Sequence, residues 1–100
     1  MPDHTATFVN VFDVEPERQQ ELVDVLTAGA REVIRRRPGF VSLELLASLD
    51  GTRVVNVARW QRPDDARATT TDPAAAEHAR RAAAIATANP GLYRVVAAIA

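Results

Sequence analysis

Residues 40–60 read FVSLELLASLDGTRVVNVARW, and this stretch decides the fold. It holds two runs rich in β-branched and aromatic residues, Phe40–Leu49 and Thr52–Arg62, joined by Asp50-Gly51. An Asp-Gly pair between apolar runs is the signature of a two-residue type I′ hairpin. That turn predicts a register: Leu49 opposite Thr52, Ala47 opposite Val54, Leu45 opposite Asn56, Leu43 opposite Ala58 and Val41 opposite Trp60. Side chains alternate along a strand. Val54, Asn56, Ala58 and Trp60 therefore share a face with Val41, Leu43 and Leu45, while Val55 and Val57 look the other way.

Upstream, Thr5–Asp13 (TATFVNVFD) has the same character and reads as a strand, with Phe8, Asn10 and Phe12 on one face and Val9 and Val11 on the other. Between these strands, Glu15–Arg37 reads as a helix. Pro16 suits its first turn, Leu22, Val25, Leu26, Gly29, Val33 and Ile34 form an apolar stripe, and Arg35–Arg37 suit the negative end of the dipole. Pro38-Gly39 stops it. Downstream, Pro63–Thr71 reads as a short helical turn. Asp72 is a natural cap for an Ala-rich helix Pro73–Ala88, Asn89-Pro90-Gly91 breaks that helix, and Leu92–Ala100 (LYRVVAAIA) reads as a last strand. The order β-α-β-β-α-β is the ferredoxin-like α+β pattern, in a single domain over residues 1–100. A sheet covered by helices on one face should be polar on the other. Here the third strand is apolar on both faces, with Val54, Ala58 and Trp60 on one and Val55 and Val57 on the other, and the last strand is similar, so a second copy of the chain is expected to cover the second face as a homodimer.

Composition narrows the chemistry. The chain has 100 residues, a net charge of −1, no cysteine and two histidines, and every basic residue is arginine. Thiolate nucleophiles, Cys-ligated metals and lysine Schiff bases are excluded. A charge this small offers no electrostatic footprint for nucleic acid or an anionic membrane, and neither is expected as a partner. No apolar run reaches spanning length and Met1–Asp3 does not open a signal peptide, so the expected location is cytoplasmic.

The segments LVDVLTAGAREVIRRRPGF (22–40), ASLDGTRVVNVARW (47–60), FVNVF (8–12) and NPGLYRVV (89–96) resemble the antibiotic biosynthesis monooxygenase family. The likeness is greatest to the cofactor-independent anthrone oxygenases of aromatic polyketide pathways, of the actinorhodin and nogalamycin types. The resemblance implies a dimeric α+β barrel that uses O2 to oxidise a small aromatic polyketide, with no flavin, haem or metal. Asn56 and Trp60 match an Asn-x-x-x-Trp of the third strand, and Asn10 matches a first-strand asparagine. Arg80 is the approximate counterpart of a helix arginine. Two departures stand out: Ala66 replaces a tyrosine six residues after the tryptophan, and Leu46 replaces a histidine before the hairpin. Haem-degrading members carry an Asn, Trp, His triad. Asn10 and His78 match two of these, but Ala68 falls where the tryptophan would be.

Asn10 and Asn56 are amides in the middle of apolar strands. Burying an amide unpaired costs about 1–3 kcal/mol. Each is therefore satisfied by neighbouring backbone, placed at the dimer seam, or kept to hydrogen-bond a ligand oxyanion. The candidate catalytic residues are Asn56, Trp60, Asn10 and His78, the last as a base because imidazole titrates near neutrality. Phe8, Phe12, Leu45 and Arg80 are the candidate substrate-binding residues; Phe8 and Phe12 supply aromatic walls. No residue is assigned to a cofactor or metal. His4 reads as a solvent-exposed terminal residue, and Arg35–Arg37 as a solvated helix end. A non-catalytic ligand-binding dimer and a haem-binding or haem-degrading protein are the alternatives.

Overall fold

A computed structural model describes residues 6–100; His4 and Thr5 lie outside the described residues. The elements run β1 (Ala6–Val14), α1 (Gln19–Glu32), β2 (Phe40–Ala47), β3 (Arg53–Trp60), α2 (Pro63–Thr70), α3 (Pro73–Ala83), β4 (Ala86–Thr87) and β5 (Pro90–Tyr93). The strands form one antiparallel sheet in the order β2-β3-β1, with β4 and β5 both on the far edge of β1. This is the ferredoxin-like arrangement expected from the sequence.

Strand β1 pairs with β3 so that Ala6 faces Trp60, Phe8 faces Ala58, Asn10 faces Asn56 and Phe12 faces Val54. Directly paired residues project to the same side, and this row points toward the helices. Phe12, Val14, Leu22, Val54 and Ala82 form one buried cluster. Ala58, Trp60 and Ala66 form a second, with Phe8, Ile34, Phe40 and Leu43 against it. The two asparagines fall between the clusters.

The long helix expected over Glu15–Arg37 is three pieces: a 3-10 turn at Pro16–Arg18, α1, and a second 3-10 turn at Ile34–Arg36. A tighter turn turns the chain more quickly out of the helix axis, and it carries Ile34 into the second cluster. Arg37 is not a solvated end. Its Nη1 pairs with Asp72 at 3.3 Å, and Asp72 in turn accepts the Ala75 N–H at 3.1 Å as the cap of α3.

Three expectations for the strands need correction. The β2–β3 register holds from Ala47↔Val54 to Leu43↔Ala58, but shifts between Phe40 and Ser42, so Phe40 and not Val41 faces Trp60. Val41 is thrown outward, 49% exposed. The bulge exchanges a valine for a phenylalanine whose ring meets the indole edge-on at 5.7 Å and 83°, a favourable aromatic geometry. The hairpin is not type I′, which needs positive φ at both central residues; among the described residues only Gly39 and Gly51 have positive φ. Ser48 and Arg53 close a four-residue loop instead (Ser48 N to Arg53 O, 3.0 Å; Gly51 N to Ser48 O, 3.1 Å). Asp50 Oδ1 organises it by accepting from the Thr52 N–H, the Thr52 hydroxyl and the Ser48 hydroxyl at 2.7–3.0 Å.

The C-terminal boundary also moves. Helix α3 ends at Ala83, not Ala88, and strand pairing occupies Ala86–Thr87 and Pro90–Tyr93 in place of Leu92–Ala100. Ile85 and Ala86 pack against the first cluster. Pairing with Asp13 and Val14 then satisfies backbone groups of β1 that a longer helix would leave bare. Residues 94–100 adopt no regular structure and leave Val95, Val96 and Ile99 exposed.

Candidate active site

Between the two clusters lies a cavity of about 410 Å³, floored by the sheet and walled by α1, α2 and α3. The volume is in the range of small-molecule sites. Its lining is apolar except at a few positions. Phe8, Asn10, Phe12, Asn56 and Trp60 rise from the floor, and His78 and Thr69 descend from the helices.

The floor follows from register. Asn10 and Asn56 are direct cross-strand partners, so their side chains enter the cavity side by side. Asn10 is held from behind: its Oδ1 accepts the Asn89 N–H at 2.9 Å. Asn89 is itself pinned, its Nδ2 donating to the Val11 carbonyl at 3.0 Å. With its oxygen engaged, Asn10 has its NH2 group left to donate. Asn56 Oδ1 is buried and has no partner in the protein. Trp60 is 2% exposed and fixed by Phe40.

His78 sits on the cavity face of α3, and its Nδ1 is likewise buried without a partner. The ring packs on Gly29 of α1; a Cβ there would lie 3.0 Å from His78 Cγ. The glycine in the helix is thus explained by ring-to-backbone contact, not by a turn. Ala66 is buried in the wall, so no phenol enters from that position.

The sequence-nominated residues divide. Asn10, Asn56, Trp60, His78, Phe8 and Phe12 share the cavity. Leu45 lines a neighbouring groove on the outer side of α1. Arg80 is on neither surface: its side chain is 69% exposed and pairs with Glu77. Successive helical residues turn by about 100°. Two steps from His78 therefore carry Arg80 to the far side of α3, and its assignment to the substrate is corrected on that ground.

Two contributors went unread in the sequence. Thr69 is 5% exposed, and its hydroxyl donates to the Asp65 carbonyl at 3.0 Å. No composition signal distinguished it from Thr70 and Thr71. Asn89 was visible only as a helix breaker; its grip on Asn10 depends on the split between β4 and β5. Among the described residues no group of three or more His, Cys, Asp or Glu side chains is placed to hold a metal ion.

These features define a small α+β protein of ferredoxin-like class with a ligand chamber between sheet and helices. A family model described as antibiotic biosynthesis monooxygenase matches residues 5–84, and the chain belongs to that family. It is 47% identical over 72 residues to the tetracenomycin-F1 monooxygenase of Streptomyces glaucescens; the match takes in 72% of this chain and 64% of that enzyme. Its fold is similar to that of SnoaB, a cofactor-independent oxygenase from Streptomyces nogalater solved as an asparagine-to-alanine variant. That likeness has a TM-score of 0.87, with 30% identity over 96% of this chain and 97% of that one. A monooxygenase from the gene ActVA-Orf6 of Streptomyces coelicolor, in complex with nanaomycin D, is equally similar. Its TM-score is 0.87, with 32% identity over 100% of this chain and 95% of that one.

Proposed function

We propose that the chain is a cofactor-independent monooxygenase that uses O2 to convert an anthrone-like aromatic polyketide into a quinone. The observation that carries this reading is the pair Asn10–Asn56 beside Trp60, facing the unpartnered His78 Nδ1 across an apolar cavity. The relatives support it, since the three named above are oxygenases, two of them named with a polyketide.

An anthrone has a CH2 group between two aromatic rings and opposite a carbonyl. His78 Nδ1 accepts one proton from it. The charge moves onto the carbonyl oxygen, where the amide N–H groups of Asn10 and Asn56 and the indole N–H stabilise it. The electron-rich carbanion gives one electron to O2, and the resulting radical pair joins at carbon as a peroxide. The peroxide loses water to leave C=O. One oxygen atom enters the product, and the other leaves as water with the two hydrogens of the CH2. The protein's part is to bind, orient and exclude solvent, and to place an acceptor for one proton. Asn56 Oδ1 accepts from a phenolic hydroxyl of the substrate, which ends its unpaired burial.

The active unit in this reading is a homodimer. Val9 faces Val57 and Val11 faces Val55 on the side of the sheet away from the helices, an apolar surface suited to a second copy.

Asn56→Ala tests the site. Oxygen uptake with 1,8-dihydroxyanthrone should fall by roughly 10²-fold or more, as loss of an oxyanion donor does elsewhere, with the circular dichroism unchanged. A variant that oxidises the anthrone at the parent rate would overturn the role given to the asparagines. A parent protein that binds the anthrone and leaves its oxidation rate unaltered would favour a non-catalytic ligand-binding protein.

A further inference from the structure

Asn89 joins the two short edge strands β4 and β5. Its neighbours Ala88 and Pro90 both line the cavity, while its own side chain turns away onto β1. Hydrogen bonds tie it there on both sides. Its N–H donates to Asn10 Oδ1 at 2.9 Å, and its carbonyl accepts the Val11 N–H at 3.2 Å. Its Nδ2 donates to the Val11 carbonyl at 3.0 Å and reaches Asp13 Oδ2 at 3.4 Å. Asp13 is braced in turn by Arg53 at 3.2 Å. Pro90, the direct partner of Asn10, has no N–H to give. The Asn89 side chain therefore supplies, beside it, a donor of the kind that a continuous strand offers from its backbone.

A backbone N–H can only donate, so the Asn10 amide must turn its oxygen toward it. The orientation is thereby one-way: oxygen outward to Asn89, NH2 inward to the cavity that Asn10 lines. Asn56, paired with it across the floor, presents the opposite group, since its Oδ1 is buried without a partner. Two amides that are alike in sequence thus differ in the cavity. One is a fixed donor, and the other offers an acceptor.

We propose that Asn89 is a positioning residue of the site: it locks Asn10 as a dedicated hydrogen-bond donor, so that Asn10 meets the substrate oxygen that takes the charge and Asn56 meets the one that keeps its proton. This deepens the oxygenase reading and rests on it for the identity of those oxygens. The favoured ligand edge is a carbonyl beside a phenolic hydroxyl, acceptor next to donor. A locked donor has no rotation to make when charge develops. A free amide would first offer its oxygen to the hydroxyl and would then have to turn over. Asn89 touches neither the substrate nor the reacting atoms and acts only through Asn10.

The test makes Asn89→Ala and Asn10→Ala singly and together. Oxygen uptake with 1,8-dihydroxyanthrone gives kcat and KM. The visible absorbance of ionised 1,8-dihydroxyanthraquinone gives, without turnover, the pH at which the bound quinone loses a phenolic proton. Asn89→Ala should lower kcat by about tenfold with KM little changed, within the roughly 10²-fold that a misplacement of 1 Å can cost. It should also move the bound quinone's ionisation upward by about one pH unit, the equivalent of that tenfold. In the Asn10→Ala background the same change should do neither, because residues that act through one contact are not additive. Equal losses in the two backgrounds would mean that Asn89 serves the frame alone, and they overturn the proposal; so does an Asn89→Ala protein with the parent kcat. Asn10→Asp serves if the Asn89 variant fails to fold. Its carboxylate can still accept the Asn89 N–H but has nothing to donate, so it should be at least as slow as Asn10→Ala. An Asn10→Asp protein as fast as the parent overturns the proposal by itself. A parent that eases quinone ionisation through Asn89 yet leaves the anthrone unoxidised sinks the oxygenase reading and leaves the clamp standing. Anthrone oxidation at a rate indifferent to Asn89 does the reverse.

Discussion

Gly29→Ala puts a methyl group where the backbone of α1 meets the His78 ring. The added carbon would lie 3.0 Å from Cγ, 3.1 Å from Cβ and 3.3 Å from Nδ1 of His78. Carbon atoms rest at about 3.5–4.0 Å, so the imidazole must retreat by roughly 0.5–1 Å. Two stability terms oppose each other. Alanine in a helix interior gains about 1 kcal/mol over glycine, and overpacking costs about 1–3 kcal/mol. The expected net change runs from near zero to about 2 kcal/mol of destabilisation, or a Tm lowered by up to about 16 °C at 4–8 °C per kcal/mol. Function should suffer more than stability. Misplacing a reacting group by 1 Å costs up to 10²-fold, so kcat for anthrone oxidation should fall by about tenfold or more while KM changes little. Thermal unfolding and initial rates of oxygen uptake are measured on the same preparation. A variant stabilised by the full 1 kcal/mol that keeps the parent kcat would refute the argument, since the ring would then have moved without consequence.

Other perturbations address the frame. Leu22, fully buried in the first cluster, should cost about 2–5 kcal/mol as Leu22→Ala, read by urea denaturation; a loss under 1 kcal/mol would mean that cluster does not hold α1. Three hydrogen bonds, the Thr52 N–H foremost, draw the Asp50 carboxyl down to about 2. A lowered carboxyl stabilises the fold above its unfolded value near 4, and that contribution is lost as pH falls toward 2. Asp50→Asn should therefore flatten the Tm-against-pH curve between pH 4 and 2, and parallel curves would contradict it. In the proposed homodimer, Val57→Asp places a charge on the apolar outer face and should shift sedimentation from dimer to monomer; a parent that sediments as a monomer, or a variant that sediments as a dimer, would contradict the proposal.

The sheet was legible because strand alternation is a strict period of two. Once Asn10 and Asn56 were assigned to central strands, the topology made those strands neighbours, but the direct pairing of the two amides is a matter of register that only the structure supplies. The Asp50-Gly51 turn was placed correctly, but its type was not. The hydroxyls of Ser48 and Thr52 gather on one carboxylate and favour a longer loop with the same strand register. In the region Ala82–Ala88, alanine carries helix propensity and little packing information, so the lone bulky residue Ile85 settles where the helix ends. Arg80 failed for a geometric reason, since an error of one or two residues on a helix reverses the face. The groove that Leu45 lines on the outer side of α1 needed tertiary structure to appear at all, because its walls come from segments that share no sequence pattern.

The division of the core into two clusters has a thermodynamic consequence. Helices and sheet are clamped at both ends of the molecule, and the space between is held open by groups that lack partners. A ligand seated there supplies the missing middle of the core, so occupancy and folding become one linked equilibrium. By mass action a ligand at a hundred times its Kd adds about 2.7 kcal/mol to stability. The melting temperature of this protein thus doubles as a gauge of what fills it, legible with ligands that never react.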